Sequence, residues 1–587
     1  MLKKITFSLV TLFFIFIALL TIDTLLSWGD VGVNTDLFVE DTLHAEYLRV
    51  NDDLGRIFFP GQKIKPHMAG DLMRRDKKAS SLRIFVFGGS SAAGWPYYYN
   101  GTFARMLQRQ LEHSLPAREI EVVNFSMPAI NSRAIRYLVK KSLRWQPDAI
   151  LVYAGHNEYY GSLGAASSVR LSPSLVDIYL RLSEWRLFQL AVTLIKGGEQ
   201  TAAPQKGGTL MQRMVGQQKI PYGSPLYRKG LKDFSENLRE IAAACRSASV
   251  PLFISDLAAN LSDQPPFISD EQSPYPAGEW YLKGQQWRRD GEHLKARRAF
   301  SRARDYDLLR FRAADTLNRI IHEQAGGEGY YLVPGEGAVA AMDAHGYIGD
   351  KAMLDHLHPN LEATRRISAA FYRALIKSKL IRPADTLFSI SREKLGITAL
   401  DDAIGRLRIN ILKAGWPFRV PSRLDSFLAA YKPPTVLEQL AWEYWNGKLS
   451  WHDAHYNLTQ MYSSRESWPA AAEEYRALLY DVGLDHRLMI KLAAALLQTG
   501  GRDEALQWLQ KSVRIRDGYQ ARAMMGLIYT HRLEFKEAIK QFEAALKFRP
   551  ADKSTLYNLA GLYRQVGDMD KSREIIQRMK KDGAAAN

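Results

Sequence analysis

The sequence predicts three kinds of structure in one chain: an apolar N-terminal helix, an α/β domain with a parallel sheet, and an all-α array of repeated helix pairs. Three observations favour this organisation. A long apolar run opens the chain, short β-rich runs then alternate with amphipathic helical stretches, and small and large residues recur about every 34 positions in the last third. With 587 residues, the chain is also too long for a single hydrophobic core.

The N-terminal segment has the pattern of a membrane anchor. Two lysines precede an apolar run from Ile5 to Trp28, in which Asp23 is the one charged residue. A run of this length can span a bilayer, and no small-x-small cleavage site follows it. The lysines orient its beginning toward the cytoplasm. We therefore predict a retained signal anchor over residues 1–28, with a cleaved signal peptide as the alternative.

Composition limits the partners. A formal net charge of +17 is compatible with an anionic membrane surface, an acidic polymer or nucleic acid. No zinc-finger spacing, RNP-like motif or compact basic stripe accompanies this charge, so no nucleic-acid partner is predicted. Cys245 is the only cysteine, which excludes an intramolecular disulfide framework and a cysteine-based zinc site. No cofactor and no metal are predicted.

The α/β domain is predicted over residues 81–380, after an irregular connector at 29–80. Five apolar runs are its candidate strands: 82–87, 120–125, 148–153, 250–255 and 329–334. Helical stretches between them favour a parallel sheet. Insertions at about 162–225 and 277–312 interrupt the domain, and the aromatic-rich helical stretch of the first is expected to pack on its own domain rather than on a membrane.

Residues 381–587 are predicted to form a helical repeat domain with the spacings of a tetratricopeptide repeat (TPR). The clearest matches are Gly526, Tyr529, Ala538, Phe542, Ala545 and Pro550. The second insertion has the same spacing and is predicted to be a TPR-like hairpin inside the α/β domain. Its matching residues are Gly284, Ala296, Phe300 and Ala303. Such arrays bind peptides or proteins, so a protein partner is predicted.

Side chains suited to nucleophilic catalysis stand at the ends of predicted elements. Ser90 lies in the Gly-rich turn FGGSSAAG after strand 82–87, and the N-terminus of the helix that follows the turn would stabilise developing negative charge. Asn157, in YAGHNEYYG after the third strand, can donate its amide to an oxyanion. Asp355 and His358 precede a helix and can form a carboxylate–imidazole pair.

Structural interpretations of the same motifs stay open. Gly/Ser turns after strands are common, and asparagine often caps turns. Asp355, His356 and His358, with His156, also have the residue types of a metal site.

Taken in order, these motifs resemble the conserved blocks of SGNH/GDSL hydrolases. FGGSSAAG resembles block I, VVNFSMPAINS block II, YAGHNE block III and DHLH block V. The resemblance implies a three-layer, flavodoxin-like α/β fold with a catalytic triad of Ser90, Asp355 and His358. It also implies an oxyanion hole formed by the backbone N–H groups of Ser90 and Ala129 and by the Asn157 amide.

The chain departs from that family at two positions. Gly89 stands where the family usually has an aspartate, and Ala129 stands where it has a glycine. A closer resemblance is to bacterial membrane-anchored SGNH proteins with C-terminal TPR units, on GGSSAAG, GHNEYYG and HPN. It implies a single-pass protein of the bacterial inner membrane with most of its chain in the periplasm.

The implied function is an extracytoplasmic ester hydrolase or O-acyltransferase. Its substrate would be an acyl ester, such as an acetyl group on a cell-envelope or exported polysaccharide. The candidate substrate-binding residues are Trp95, Tyr97 and Asn260. Two alternatives remain: a non-catalytic envelope scaffold that uses its TPR array, and a metal-dependent hydrolase built on Asp355, His356 and His358. Hydrolase and transferase share the triad, so the sequence does not separate them.

Overall fold

The computed structural model describes residues 2–59, 68–167, 173–197, 214–384, 394–419 and 421–584. The chain divides into two compact units. The first comprises Met1–Ser391 and Gly405–Lys432, and the second comprises Arg392–Ile404 and Pro433–Asn587. Prediction put a single boundary between residues 380 and 381, whereas in the structure a segment beyond that point returns to the first unit.

Five parallel strands form the central sheet of the first unit. Three shorter strands precede them, and in chain order the eight are β1 (Phe38–Glu40), β2 (Tyr47–Val50), β3 (Leu72–Arg74), β4 (Ser81–Gly88), β5 (Glu119–Asn124), β6 (Ala149–Tyr153), β7 (Leu252–Ser255) and β8 (Tyr331–Val333). The central order is β5-β4-β6-β7-β8, which is the 2-1-3-4-5 order of flavodoxin-like sheets. The five predicted strands are confirmed, each within two residues. Their apolar runs are continuous because β4, β6 and β7 are buried along their whole length.

Helices cover both faces of this sheet. The helices of the first unit are α1 (Leu2–Trp28), α2 (Phe103–Ser114), α3 (Ser132–Ser142), α4 (Pro173–Leu182), α5 (Arg186–Gly197), α6 (Pro225–Ser247), α7 (Ala277–Arg289), α8 (His293–Tyr306), α9 (Asp315–Glu328), α10 (Gly335–Ala340) and α11 (Leu361–Lys377), followed by α12 (Ala399–Ala414), which crosses the division, and α13 (Pro421–Ala430). Crossovers between parallel strands are right-handed, so α2, which leads to β5, lies on one face, while α3, α6 and α9 lie on the other. The contacts agree: α3 packs on α6, α6 packs on α9, and Phe103 of α2 stacks on Phe371 of α11 with ring centroids 5.0 Å apart.

The segment predicted as an irregular connector is part of the folded domain. Strands β1, β2 and β3 form a small antiparallel sheet within it. Phe38 of β1 is buried, and its ring centroid lies 5.4 Å from that of Phe125. Strands of three or four residues are too short to show an alternating pattern, which is why the sequence suggested a loop. Residues 60–67 of this segment lie outside the described residues.

Both insertions contain helices. The first contains α4 and α5, while its polar Gly/Gln-rich stretch falls largely on residues 198–213, outside the described residues. The second contains the predicted hairpin, α7 and α8. A Cβ atom on Gly284 would lie 2.7 Å from the Phe300 ring, so glycine is what allows these two helices to approach so closely.

The second unit is built from helix hairpins. After α14 (Val436–Trp445), the pairs are α15 (Trp451–Ser464) with α16 (Trp468–Val482), α17 (His486–Gln498) with α18 (Arg502–Ile515), α19 (Tyr519–His531) with α20 (Phe535–Leu546), and α21 (Lys553–Gln565) with α22 (Met569–Ala584). Gly526 meets Phe542 as Gly284 meets Phe300, since a Cβ on either glycine would lie 2.7 Å from the ring. The predicted TPR spacing thus corresponds to real helix–helix packing.

Candidate active site

The loops that follow β4 and β6 meet at the point where the strand order reverses. β4 lies between β5 on one side and β6 on the other. In open α/β sheets the crevice at this switch point is where ligands bind. Ser90 follows the end of β4, and Asn157 follows the end of β6. The topology therefore brings two candidate site residues to one edge of the sheet.

Burial singles out the same residues within otherwise buried loops. The loops after β4, β5 and β6 begin with residues 89–94, 125–131 and 154–164, all of which the structure describes. Within them, every residue is buried except Gly89 and Ser90 in the first, Ala129 in the second and Asn157 in the third. A small solvent-accessible floor is therefore formed by the candidate nucleophile, its neighbour and the two candidate oxyanion donors.

Ser90, His358 and Asp355 form a continuous hydrogen-bonded series. Ser90 Oγ lies 2.7 Å from His358 Nε2, and His358 Nδ1 lies 2.6 Å from Asp355 Oδ2. The other carboxylate oxygen of Asp355 accepts the backbone N–H groups of Leu357 and His358, each at 2.9 Å. The short Asp-x-x-His turn therefore orients the carboxylate and the imidazole together.

The charge state of Asp355 suits this arrangement. Burial alone would raise the pKa of Asp355, but the rings of His358 and His356 outweigh it and hold the pKa well below its usual range. An ionised Asp355 accepts the hydrogen on His358 Nδ1. Nε2 is then able to accept the hydrogen of the Ser90 hydroxyl, which is the geometry a general base requires.

The two departures from the family pattern have local explanations. Ala129 has a φ of 62°, in the left-handed region that favours glycine, so the backbone keeps the conformation expected of the family's glycine. A Cβ on Gly89 would lie 2.6 Å from Asn157 Nδ2. The Asn157 amide therefore occupies the space that a side chain at position 89 would need.

Turns separate Ser90 from the helix that was predicted to follow it. Residues 90–97 form successive turns, closed by the hydrogen bonds from Ala93 N–H to Gly89 and from Trp95 N–H to Ser90. Gly94, with a φ of 83°, breaks the helical path, and the predicted helix is present as α2, which begins at Phe103.

The three candidate substrate-binding residues have different surroundings. Trp95 is half-buried, and its ring centroid lies 4.3 Å from that of His358, so it forms a wall beside the candidate base. Tyr97 is largely buried and packs against Gly101 and Gly405. Asn260 is 1% exposed. Its Nδ2 donates to Asp350 Oδ1 at 2.8 Å and to the Asp355 carbonyl at 3.2 Å, which supports a role in holding the Asp355 loop.

The histidines that could suggest a metal site are engaged or neutral. Burial, reinforced by the nearby His356 and His358, lowers the pKa of His156 to about 3, and its Nδ1 accepts the Ala313 N–H at 3.1 Å. Burial also lowers the pKa of His356 despite the Asp355 carboxylate beside it. Among the described residues, no group of three or more His, Cys, Asp or Glu side chains is arranged to hold a metal ion.

No family model and no curated protein matches the chain. Solved structures similar to parts of it include MamA, at 16% identity over 23% of this chain and 80% of the other, with a TM-score of 0.22. YrrB, described as a TPR protein with an unusual peptide-binding site, has 20% identity, coverages of 32% and 93%, and a TM-score of 0.23. TesA has 15% identity, coverages of 50% and 97%, and a TM-score of 0.23.

TM-scores this low do not support a fold by themselves. The fold of the second unit is therefore assigned from the packing of its own helix hairpins. The second unit is a TPR-like solenoid. The first unit is an α/β domain with a parallel sheet, and its N-terminal helix α1 contains a stretch, Leu9–Trp28, long and apolar enough to cross a membrane.

The sequence did not identify Ser91, which supports the candidate site. The Ser91 hydroxyl donates to the Leu357 carbonyl at 3.3 Å and so ties the nucleophile loop to the His358 loop. Glu158, expected from the sequence to have a structural role beside Asn157, is buried and accepts the Ser132 hydroxyl at 2.9 Å. Burial raises the pKa of Glu158 to about 7. The doubled serine of the motif was visible in the sequence, but its partner lies 266 residues away.

Proposed function

We propose that the chain is an extracytoplasmic serine-dependent ester hydrolase or O-acyltransferase. Its substrate is an acyl ester, such as an acetyl group on a cell-envelope or exported polysaccharide. The observation that carries the proposal is the series Ser90–His358–Asp355, with hydrogen bonds of 2.7 and 2.6 Å, at the switch point of the sheet. The half-buried Trp95 beside His358 adds an aromatic surface on which a sugar ring or acyl chain can pack.

The reaction follows from these positions. Ser90 Oγ attacks the acyl carbon while His358 Nε2 takes its proton, and Asp355 stabilises the resulting imidazolium. The N–H groups of Ser90 and Ala129 and the Asn157 amide donate to the oxyanion. Collapse of the tetrahedral intermediate breaks the ester bond, with the proton passing from His358 to the leaving oxygen. Water or an acceptor hydroxyl then attacks the acyl-enzyme, which makes the protein a hydrolase or a transferase.

A fluorophosphonate probe tests the proposal on the full-length chain in detergent. Activated serines displace fluoride from such probes and become covalently labelled, so labelling should map by mass spectrometry to the peptide that contains Ser90. Labelling should disappear in Ser90→Ala and His358→Ala, because the first lacks the nucleophile and the second lacks the base.

Ser91→Ala is the matched control. Its hydroxyl is one residue away but donates to the Leu357 carbonyl rather than to the imidazole, so this variant should still be labelled at Ser90. A folded wild-type chain that is not labelled, or labelling that persists in Ser90→Ala, would contradict the proposal.

A second candidate function is a non-catalytic envelope scaffold that binds a protein through its solenoid. It is favoured by apolar side chains left exposed on the first helices of the last two hairpins, Leu527 at 49% and Tyr557 at 72%. Complementation separates the two functions. If a Ser90→Ala chain restores the wild-type phenotype to a strain that lacks the protein, the scaffold function is favoured. If it does not restore that phenotype although it is present at the normal level, the enzyme function is favoured.

A further inference from the structure

Helices α4 and α5 of the first insertion leave an apolar face uncovered. Ile178 and Leu182, four residues apart on one face of α4, are 52% and 41% exposed. On α5, Leu194 is 70% exposed. The opposite side of α4 is anchored in the domain, where Val176 and Leu180 are 1% and 2% exposed. Helix α4 is thus held by one face and presents the other, with Ile178 and Leu182, outward.

The link between α4 and α5 contacts the candidate membrane helix α1. The rings of Trp185, between α4 and α5, and of Phe16 on α1 have centroids 6.2 Å apart. Asp23 Oδ1 on α1 accepts the Leu187 N–H, at the start of α5, at 2.9 Å. The one carboxylate within the apolar run of α1 therefore satisfies the N-terminus of α5, where a negative charge is stabilised.

These contacts set the depth of the link between α4 and α5 relative to α1. Phe16 lies twelve residues, about 18 Å at 1.5 Å per residue, from Trp28, where the 20-residue stretch Leu9–Trp28 leads into the domain. That stretch is about as long as the hydrocarbon layer is thick. The medium around Phe16 consequently also surrounds Trp185, which lies between α4 and α5.

Charged groups lie together at the other end of the same contact. A cavity of about 470 Å³ is lined by Asp23, Asp36, Lys141, Arg144, Glu184 and Arg186 among others. Lys141 pairs with Glu184 at 2.9 Å, and Arg144 pairs with Asp36 at 3.2 Å. A polar rim beside an apolar face, with a tryptophan between them, is the sequence of environments met from headgroups to acyl chains.

We propose that α4 and α5 form a second membrane-contacting element, which inserts Ile178, Leu182 and Leu194 into the bilayer that holds α1. The polar rim then lies at headgroup level. The occupant of the apolar face is lipid, and the first unit is seated on the membrane by three helices rather than tethered to it by one. This inference does not depend on the chemistry of Ser90.

Spin labels on the full-length chain in vesicles of phosphatidylethanolamine and phosphatidylglycerol test it. The labelled variants are Ile178→Cys, Leu182→Cys and Leu194→Cys. The native Cys245 is 1% exposed and does not compete for the reagent. Leu12→Cys, on α1 and 61% exposed, reports that the chain is inserted. Leu282→Cys, on α7 and 68% exposed, is the matched leucine on another surface.

Power saturation compares collisions with oxygen, which partitions into lipid, and with a water-soluble nickel chelate. Labels at 178, 182, 194 and 12 should collide several-fold more with oxygen than with nickel, and the ratio should reverse at 282. Nickel accessibility at 178 and 182 equal to that at 282 would place the face in water and overturn the inference. Low accessibility to both reagents would reveal a covering protein and overturn it as well.

Discussion

At the residue scale, the candidate site depends on how closely Gly89 and Asn157 approach each other. A Cβ on Gly89 would lie 2.6 Å from Asn157 Nδ2, a distance that no packed side chain tolerates. The clashing atom is the end of a side chain, so the amide can move aside while the fold survives. Substitution of Gly89 therefore displaces a candidate oxyanion donor without removing it.

Two variants measure what that amide contributes. Asn157→Ala should slow fluorophosphonate labelling of Ser90 by about 100-fold or more, the usual loss when one oxyanion donor is removed. Gly89→Ala should slow it by a smaller factor, since the amide is displaced but present. The measurements are the second-order labelling rate and the midpoint of thermal unfolding, which should stay near that of the wild type.

Gly337→Ala is the control for adding a methyl group, because a Cβ there meets nothing within 4 Å. It should label at the wild-type rate. Wild-type labelling rates in both Asn157→Ala and Gly89→Ala would remove Asn157 from the mechanism.

Motifs identified the candidate site residues, but not their surroundings. Ser90, Asn157, Asp355 and His358 stand at element ends in recognisable local sequences. The sequence also suggested Asn260 as a pocket residue, whereas the structure buries it under the Asp355 loop. Burial of a polar side chain depends on packing from distant segments, which a local pattern does not report.

At the scale of elements, the solenoid relies on glycines that admit a large neighbour. Gly526 on α19 meets the Phe542 ring of α20, and Gly284 on α7 meets Phe300 of α8 in the same way. Gly561 on α21 occupies a similar mid-helix position, but a Cβ there would meet nothing within 4 Å. Replacing glycine with alanine should therefore lower stability where a phenylalanine ring packs on the glycine and raise it where the glycine faces open space.

Gly526→Ala should destabilise its hairpin by about 1 to 3 kcal/mol, because the added methyl group overpacks the contact with Phe542. Gly561→Ala should stabilise its helix by about 0.5 to 1 kcal/mol through the better helix propensity of alanine. Hydrogen exchange of the amides in α19 and α21 of the full-length chain measures both changes. Changes of the same sign in the two variants would show that the glycine–phenylalanine contact is not what distinguishes them.

At the scale of the whole molecule, each unit has its own buried polar centre. In the second unit, His455 Nδ1 lies 2.5 Å from Glu474 Oε2, and Trp451 Nε1 donates to Asp401 Oδ1 at 2.9 Å. Burial lowers the pKa of His455, but the Asp401 and Glu474 carboxylates outweigh it and raise the pKa to about 9. The imidazolium is thus held between two carboxylates inside the solenoid.

This centre predicts the pH dependence of the second unit. The pKa of His455 in the folded chain lies above its usual 6.5. Protonated His455 therefore stabilises the folded second unit fully below about pH 6.5, and this stabilisation is lost as the pH rises through about 9. Hydrogen exchange in α15 and α16 should accelerate over this range relative to α21. His455→Gln should abolish the extra acceleration, whereas His452→Gln, at a half-buried histidine of the same helix that pairs with Asp481, should retain it. If exchange in α15 and α16 of the wild type differs from exchange in α21 by the same factor at every pH, the prediction is contradicted.

The sequence by itself determined the elements of this protein. An apolar run, five apolar strands and TPR-spaced helices all leave local patterns in the sequence, because each records which side of one element faces a core. The tertiary structure alone decided what those elements bring together. It placed Ser90 beside His358, 268 residues away, folded the supposed connector into the α/β core, and left the outer face of α4 and α5 uncovered next to α1. Contacts between distant segments arise from how whole elements pack, so no periodicity within either segment encodes them.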